Sequence, residues 1–387
     1  MAQSIRNNVI KILYLFGSGM AFLSPCRNSS RIFFFFPFYH IGGAEKVHLD
    51  ILTLASDKKP WIIIDLKSNS PAFKKEFAKS GRLIDLSALL GYSLSRIILT
   101  GYFSSLINRF EKVLLFGANS HFYYELLPHL HNHVYCIDLI HAFGGGIECY
   151  SLPYVSRIDR RIVINKKTYD DLKEQYALNG IRLGLIGRVD VIGNKVNLPK
   201  ERPVKKDRKK LRIIYVGRGT EEKRVHLVGR IACLCHEKGL PVEFTLVGNV
   251  MDAVDPNDKN FIKLIEEIHD PAQIERLYRQ SDLLLITSSR EGFPMVIMEA
   301  MAHGVVPVTT DVGGIPYHIQ HGKNGFLVAN YDIEEQIVGS FLDIIQDLLG
   351  NRALLNQVSK KAYKYATQHF GSDLFDTYYR NLFSKFT

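Results

Sequence analysis

The chain has 387 residues, 46% hydrophobic and 23% charged, a composition that excludes a disordered, collagen-like or disulfide-dense protein. Its length exceeds the size at which one core usually keeps growing, so two domains are expected. Five cysteines without a CxxC pair fit a reducing compartment, and the net charge of +10 directs attention to anionic partners.

The first apolar stretch, "VIKILYLFGSGMAFLSPC" (9–26), carries Lys11 and is broken by Gly17, Ser18 and Gly19, which makes it marginal as a membrane span. A cationic start with an apolar core also fits an export signal, but Pro25 before Cys26 suits lipoprotein cleavage poorly. The favoured reading is a helix that lies in a membrane interface or packs on the first domain. Gly17-x-Gly19 opens a dinucleotide fingerprint, yet Phe22 replaces the third glycine and no suitably spaced acid follows, which argues against an oxidoreductase.

Strands are expected at 31–38, 61–66, 112–117, 134–141 and 160–165, with helices between them at 42–55 and 166–178. The basic stretch "KERPVKKDRKKLR" (200–212) reads as a solvated linker or as contact with anionic lipid; no nucleic-acid motif accompanies it. Strands at 211–217, 242–248, 261–265, 282–287 and 305–310 follow, with helices at 226–239 and 271–280 and a helical end. Cys233 and Cys235 read as helix residues, not metal ligands. Alternation of this kind predicts an α/β chain with two Rossmann-like parallel sheets, and a cleft between two such domains is the default ligand site.

Several constellations carry chemistry. In "FYHIGGAEKV" (38–47), Gly42 and Gly43 stand where a strand hands over to a helix, a place for an anion or for nothing more than a tight turn. Glu45 there complements the helix dipole. "YVGRGTEEKRVHLV" (215–228) puts Arg218 and Lys223 after the first strand of the second half, where fixed cations could meet the charge of a departing diphosphate. His141 ends a strand before the glycine-rich "AFGGG". Glu291 follows a strand, and Glu299 lies in a helix that is apolar on nearly every side. Buried acids need donors. Either they are structural, paired with Arg290, His303 or His318, or they accept hydrogen bonds from a hydroxyl-rich ligand such as ribose or hexose.

Taken together, "EGFPMVIME" with its two glutamates, "GGAEKV", "VGRGTEEKRV", His141 and "VGGIPYHIQHGKNGFLV" (312–328) resemble the retaining GT-B glycosyltransferases of family 4 in order and spacing. The resemblance is strong over about 211–330 and thinner before that. It implies two Rossmann-like domains facing each other across a cleft: residues 1–198 for the acceptor, with 1–30 as a membrane-interface segment; a basic linker at 199–210; residues 211–365 for the nucleotide sugar; and a helical 366–387 packing back on the first domain. It also implies roles. Glu299 would bind the donor ribose. Glu291 would hold the transferred sugar, with backbone amides of Gly292, Phe293, Met295 and Val296. Arg218 and Lys223 would clamp the diphosphate with Gly42 and Gly43, and His141 would touch the sugar near the reacting carbon. No metal or other cofactor is required by that chemistry. The implied activity is sugar transfer from a nucleotide donor to a glycan or lipid-linked acceptor in cell-surface polysaccharide synthesis. The implied location is cytoplasmic, peripheral on the inner face of the membrane, without nucleic acid. Ala142 replaces the usual acid after the histidine, "NKVN" (194–197) replaces the usual turn, and "VGNVMD" (247–252) lacks a second glycine. Those departures keep a catalytically inactive, glycan- or partner-binding relative as the alternative.

Overall fold

The computed structural model describes residues 2–23, 30–203 and 209–386. Cys26 and residues 204–208 of the expected linker lie outside the described residues. The chain divides into two α/β units. One holds the residues up to Ile164, Thr168–Ile192 and the chain from Leu374 onward; the other holds Asn165–Lys167 and Gly193–Asp373.

The first unit is built on β1 (Ile32–Phe36), β2 (Trp61–Ile64), β3 (Arg82–Asp85), β4 (Val113–Ala118), β5 (Val134–Ile140), β6 (Arg160–Val163) and β7 (Val189–Val191). They form one parallel sheet in the order β3-β2-β1-β4-β5-β6-β7. The second unit carries β8 (Leu211–Val216), β9 (Val242–Val247), β10 (Ile262–Ile265), β11 (Leu283–Ile286), β12 (Val306–Thr310) and β13 (Phe326–Val328). These are also parallel, ordered β10-β9-β8-β11-β12-β13. The α/β expectation is met in both units. Three strands have no counterpart in the sequence reading: β3, β7 and β13. All three are sheet edges, where a strand is covered less completely and needs no continuous apolar run. β3 accordingly has its first and last residues exposed.

β1 shows why a sequence of four phenylalanines makes a central strand. Side chains alternate between faces. Phe35 meets Phe103 and Phe122 on one face, while Phe34 and Phe36 meet Phe116 on the other. All four phenylalanines are fully buried. The expected strand ran to Phe38; it stops at Phe36 because Pro37 cannot donate a ladder hydrogen bond. From Leu374 onward the helix Ser372–Phe383 belongs to this unit, with Phe383 edge-on to Phe34 at 5.7 Å and Tyr378 Oη donating to Asp190 at 2.7 Å. The preceding helix, Arg352–His369, ends within the segment expected to form the terminal helix, so only its later part joins the first unit.

The apolar amino-terminal stretch is a helix, Ala2–Phe22, lying along the helix Ser93–Asn108. The approach is close because glycines face backbone: a methyl group at Gly17 would overlap the Ile98 carbonyl, and one at Gly101 the Tyr14 carbonyl. Gly17-x-Gly19 therefore sits inside a helix, not in a strand-to-helix turn, and serves packing. Tyr14 Oη and Ser104 Oγ lie 2.8 Å apart across the pair, and Arg109 Nη1 caps the Ala21 carbonyl at 2.6 Å.

Between β5 and β6 a charged network is completely buried. Arg161 (2% exposed) donates Nη2 to Asp138 Oδ2 at 2.6 Å and Nε to Oδ1 at 3.0 Å; Asp138 has no exposure. Tyr176 Oη and Ser151 Oγ accept from the guanidinium, and Tyr124 Oη donates to Asp138 at 2.9 Å. Burial of an ion pair is tolerated only with such full satisfaction.

Candidate active site

In open parallel sheets ligands collect beyond the carboxyl ends of the strands, where the strand order reverses. That point falls between β8 and β11 in the second unit and between β1 and β4 in the first.

In the second unit the loops leaving β8 and β11 are joined by hydrogen bonds. Ser289 N donates to the Glu222 carbonyl at 2.8 Å, and Thr287 Oγ1 donates to the carbonyls of Lys223 and Arg224. Arg224 returns the favour through Nε to the Thr287 carbonyl at 2.8 Å. Within this frame Lys223 Nζ lies 2.7 Å from Glu291 Oε1, and Ser288 Oγ donates to the same oxygen at 2.7 Å. The Glu291 side chain is 9% exposed and that of Lys223 20%. Glu291 thus does have an internal partner, but it is the proposed phosphate-binding lysine and none of Arg290, His303 or His318. An ammonium has three N–H donors, so the contact with Glu291 leaves two for another anion.

Arg218 is exposed, one strand-end turn from this pair. Tyr215, 1% exposed, donates its Oη to the Arg218 carbonyl at 2.9 Å. Burial raises the Tyr215 pKa, the charge of Glu291 adds to that, and the Arg218 guanidinium opposes it. The phenol therefore remains a donor while sensing both charges. Behind Glu291 runs the loop after β12. Gly313 takes a φ of +56°, and a side chain there would overlap the Glu291 carbonyl; Gly314 N donates to the Gly292 carbonyl at 2.7 Å. The "VGGIP" sequence thus backs the Glu291 loop, a use that sequence reasoning did not assign.

Pro294 is the residue before the helix Met295–Ala302; Gly304 follows its end with a φ of +65°. Six of the eight helical residues are buried, while Val296 and Glu299 share the partly open face. Glu299 Oε2 accepts from Tyr278 Oη at 3.0 Å. Tyr278 is 1% exposed, and burial followed by the Glu299 charge holds its pKa well above the ordinary value, so it stays a donor. His303 Nδ1 lies 2.8 Å from the Glu299 carbonyl, and so is set against the backbone, not the carboxylate. Tyr278 is a supporting residue the sequence hid: its spacing on an amphipathic helix reads as core. Phe293 turns its ring inward onto His318 at 4.1 Å, leaving its backbone for the predicted role.

The remaining predicted residues belong to the first unit. Gly42 precedes the helix Gly43–Leu54, and the Glu45 carboxylate fills the space a Gly42 side chain would need. Glu45 is buried and lies 3.8 Å from His40 Nε2. This helix start is already complemented by an acid, which weakens its claim as an anion cradle. The loop after His141 is likewise occupied: the N–H groups of Gly144 and Gly146 donate to the buried Glu148 at 3.0 and 3.1 Å. His141 itself is half-buried at the end of β5, with Nε2 2.9 Å from Nε2 of His48. Burial lowers its pKa to about 4, so the ring is neutral at physiological pH.

Residues 199–365 match the family described as glycosyl transferases group 1. A D-inositol 3-phosphate glycosyltransferase of Rhodococcus erythropolis is 26% identical over 240 residues, covering 56% of this chain and 53% of that protein. The chain thus spans about half the length of that curated relative. Among solved structures, Anabaena Alr3699/HepE in complex with UDP and glucose aligns with a TM-score of 0.68 at 16% identity, covering 92% of this chain and 98% of that one. The apo lipopolysaccharide outer core galactosyltransferase WaaB aligns equally well, with a TM-score of 0.68 at 18% identity over 92% and 99% of the two chains. The chain has the GT-B fold of those structures, and within it residues 199–365 are similar to the glycosyl transferases group 1.

Proposed function

We propose that the protein is a retaining, metal-independent glycosyltransferase acting on a nucleotide-diphosphate sugar, with a glycan or lipid-linked acceptor, in the assembly of a cell-surface polysaccharide. The observation that carries this is the Lys223–Glu291 contact at the β8/β11 reversal, an acid for sugar hydroxyls held beside a cation with donors to spare. Glu299, steadied by Tyr278, accepts from the ribose. Glu291 and the amides of Gly292, Phe293, Met295 and Val296 hold the sugar. Arg218 and Lys223 meet the diphosphate. As the bond from the anomeric carbon to the diphosphate oxygen breaks, the two cations take up the developing charge. The acceptor oxygen bonds to that carbon on the same face, and its proton passes to the departing phosphate oxygen.

A ligand that binds only the folded state raises the melting temperature. A panel of nucleotide sugars is therefore expected to yield at least one that stabilises the chain, with UDP-sugars first because HepE was crystallised with UDP and glucose. At a hundredfold excess over Kd the gain is about 2.7 kcal/mol. No shift with any donor, and no nucleotide released from one, would favour the inactive, binding-only relative.

The amino-terminal helix supports a peripheral membrane location. No helix among the described residues is long and apolar enough to cross a bilayer. Val9, Ile12, Phe16, Met20 and Leu23 are nevertheless exposed by 43–86% along one face, in a helix with no acid and with Arg6 and Lys11. Such a face fits the interface of an anionic bilayer. Sedimentation with phosphatidylglycerol vesicles is expected to weaken about tenfold or more for Ile12→Ser/Phe16→Ser, since each side chain contributes roughly 1.5–3 kcal/mol when buried. Unchanged binding would remove this face from the account.

A further inference from the structure

His48 lies directly behind His141. It lies on the helix Gly43–Leu54 with no exposed surface, its ring stacked on Phe36 at 4.2 Å and 9°. Its Nε2 is 2.9 Å from Nε2 of His141. Two imidazole nitrogens at that distance share one proton, so one ring donates and the other accepts. The other nitrogen of His48, Nδ1, is buried with no hydrogen-bond partner among the described residues. If the proton of His48 were on Nδ1, an N–H would be stranded in the interior; orphaned buried N–H groups are rarer than unpaired acceptors. The proton therefore belongs on Nε2 of His48. His141 then accepts at Nε2 and must carry its own proton on Nδ1.

We propose that His48 is a positioning residue: its Nε2–H holds His141 in the Nδ1–H tautomer, so that the half-buried ring offers a donor, not an acceptor, to a hydroxyl or phosphate oxygen of the substrate. In water histidine favours the opposite tautomer, so the pairing imposes a state the free side chain would not choose. Charge on either ring is disfavoured by burial, and for His48 also by the neighbouring ring, which keeps the pair in this neutral arrangement. The relation generalises: the partner of one ring nitrogen sets what the other can do. The role of His141 toward substrate rests on the transferase reading; the tautomer does not.

The test uses the full chain with ring-¹⁵N histidine and long-range ¹H–¹⁵N spectra of the resting protein. Wild type is expected to show His141 as Nδ1–H. His48→Gln, whose side-chain amide nitrogen can reach the same place, is expected to keep it. His48→Phe keeps the stacking on Phe36 without a donor, and His141 is expected to revert to Nε2–H. Donor turnover is then expected to fall about fivefold in His48→Phe and to recover in His48→Gln, one hydrogen bond being worth about 1 kcal/mol. An Nε2–H or protonated His141 in the wild type overturns the proposal whether or not any variant folds. So does an unchanged tautomer in a folded His48→Phe. Because the spectrum needs no substrate, failure of the transferase reading would show separately, as absent turnover beside the expected tautomers.

Discussion

Replacing Lys223 by alanine is expected to lower kcat for donor turnover by about 10²–10³-fold, the loss typical when one preorganised group facing developing oxyanion charge is removed. The binding of a donor changes less than its turnover, because the diphosphate gains charge only as the glycosidic bond lengthens. Lys223→Ala also removes the counter-charge from Glu291, whose side chain is 9% exposed, so some loss of melting temperature accompanies it. Arg218→Ala separates the two effects. Arg218 is exposed, so its removal is expected to leave melting unchanged while kcat falls by a comparable order. Steady-state kinetics and a melting curve on the two variants check both statements. Wild-type kcat in each would deny the cations their role in departure.

The second large effect is on stability. Asp138→Ala is expected to destabilise the first unit by about 3–5 kcal/mol, because it leaves the Arg161 guanidinium buried without its anion. Tyr176 and Ser151 still accept hydrogen bonds from it, but they bring no charge. For a unit of this size that corresponds to a fall of roughly 6–20 °C in its melting transition. The double replacement Asp138→Leu/Arg161→Met is expected to lose less than the single one, since no uncompensated charge remains. Calorimetry on the two variants decides it; a single mutant as stable as wild type would mean the network is dispensable.

β1 and β11 were legible because each is an unbroken apolar run covered on both sides, "IFFFF" and "LLLI". β3, β7 and β13 were not, because sheet edges need no such run. The two glutamates and the glycine loops were visible as separate motifs. Which of them meet was not, since Lys223 reaches Glu291 only because β8 lies beside β11, and local patterns do not encode strand order. His48 and Tyr278 were hidden for another reason. Each occupies the buried face of an amphipathic helix, where an aromatic ring reads as core until its polar atom is seen against His141 or Glu299. The packing of Gly17 and Gly101 against opposite backbones depends on which helix lies next to which, and so was equally beyond the sequence.

The most direct test is nucleotide release by the purified wild-type chain from whichever sugar donor stabilises it, measured in excess chelator. Cationic side chains suffice in this account, so release should continue at the same rate without divalent ions. No release from any stabilising donor, or release that the chelator abolishes and magnesium restores, would contradict it.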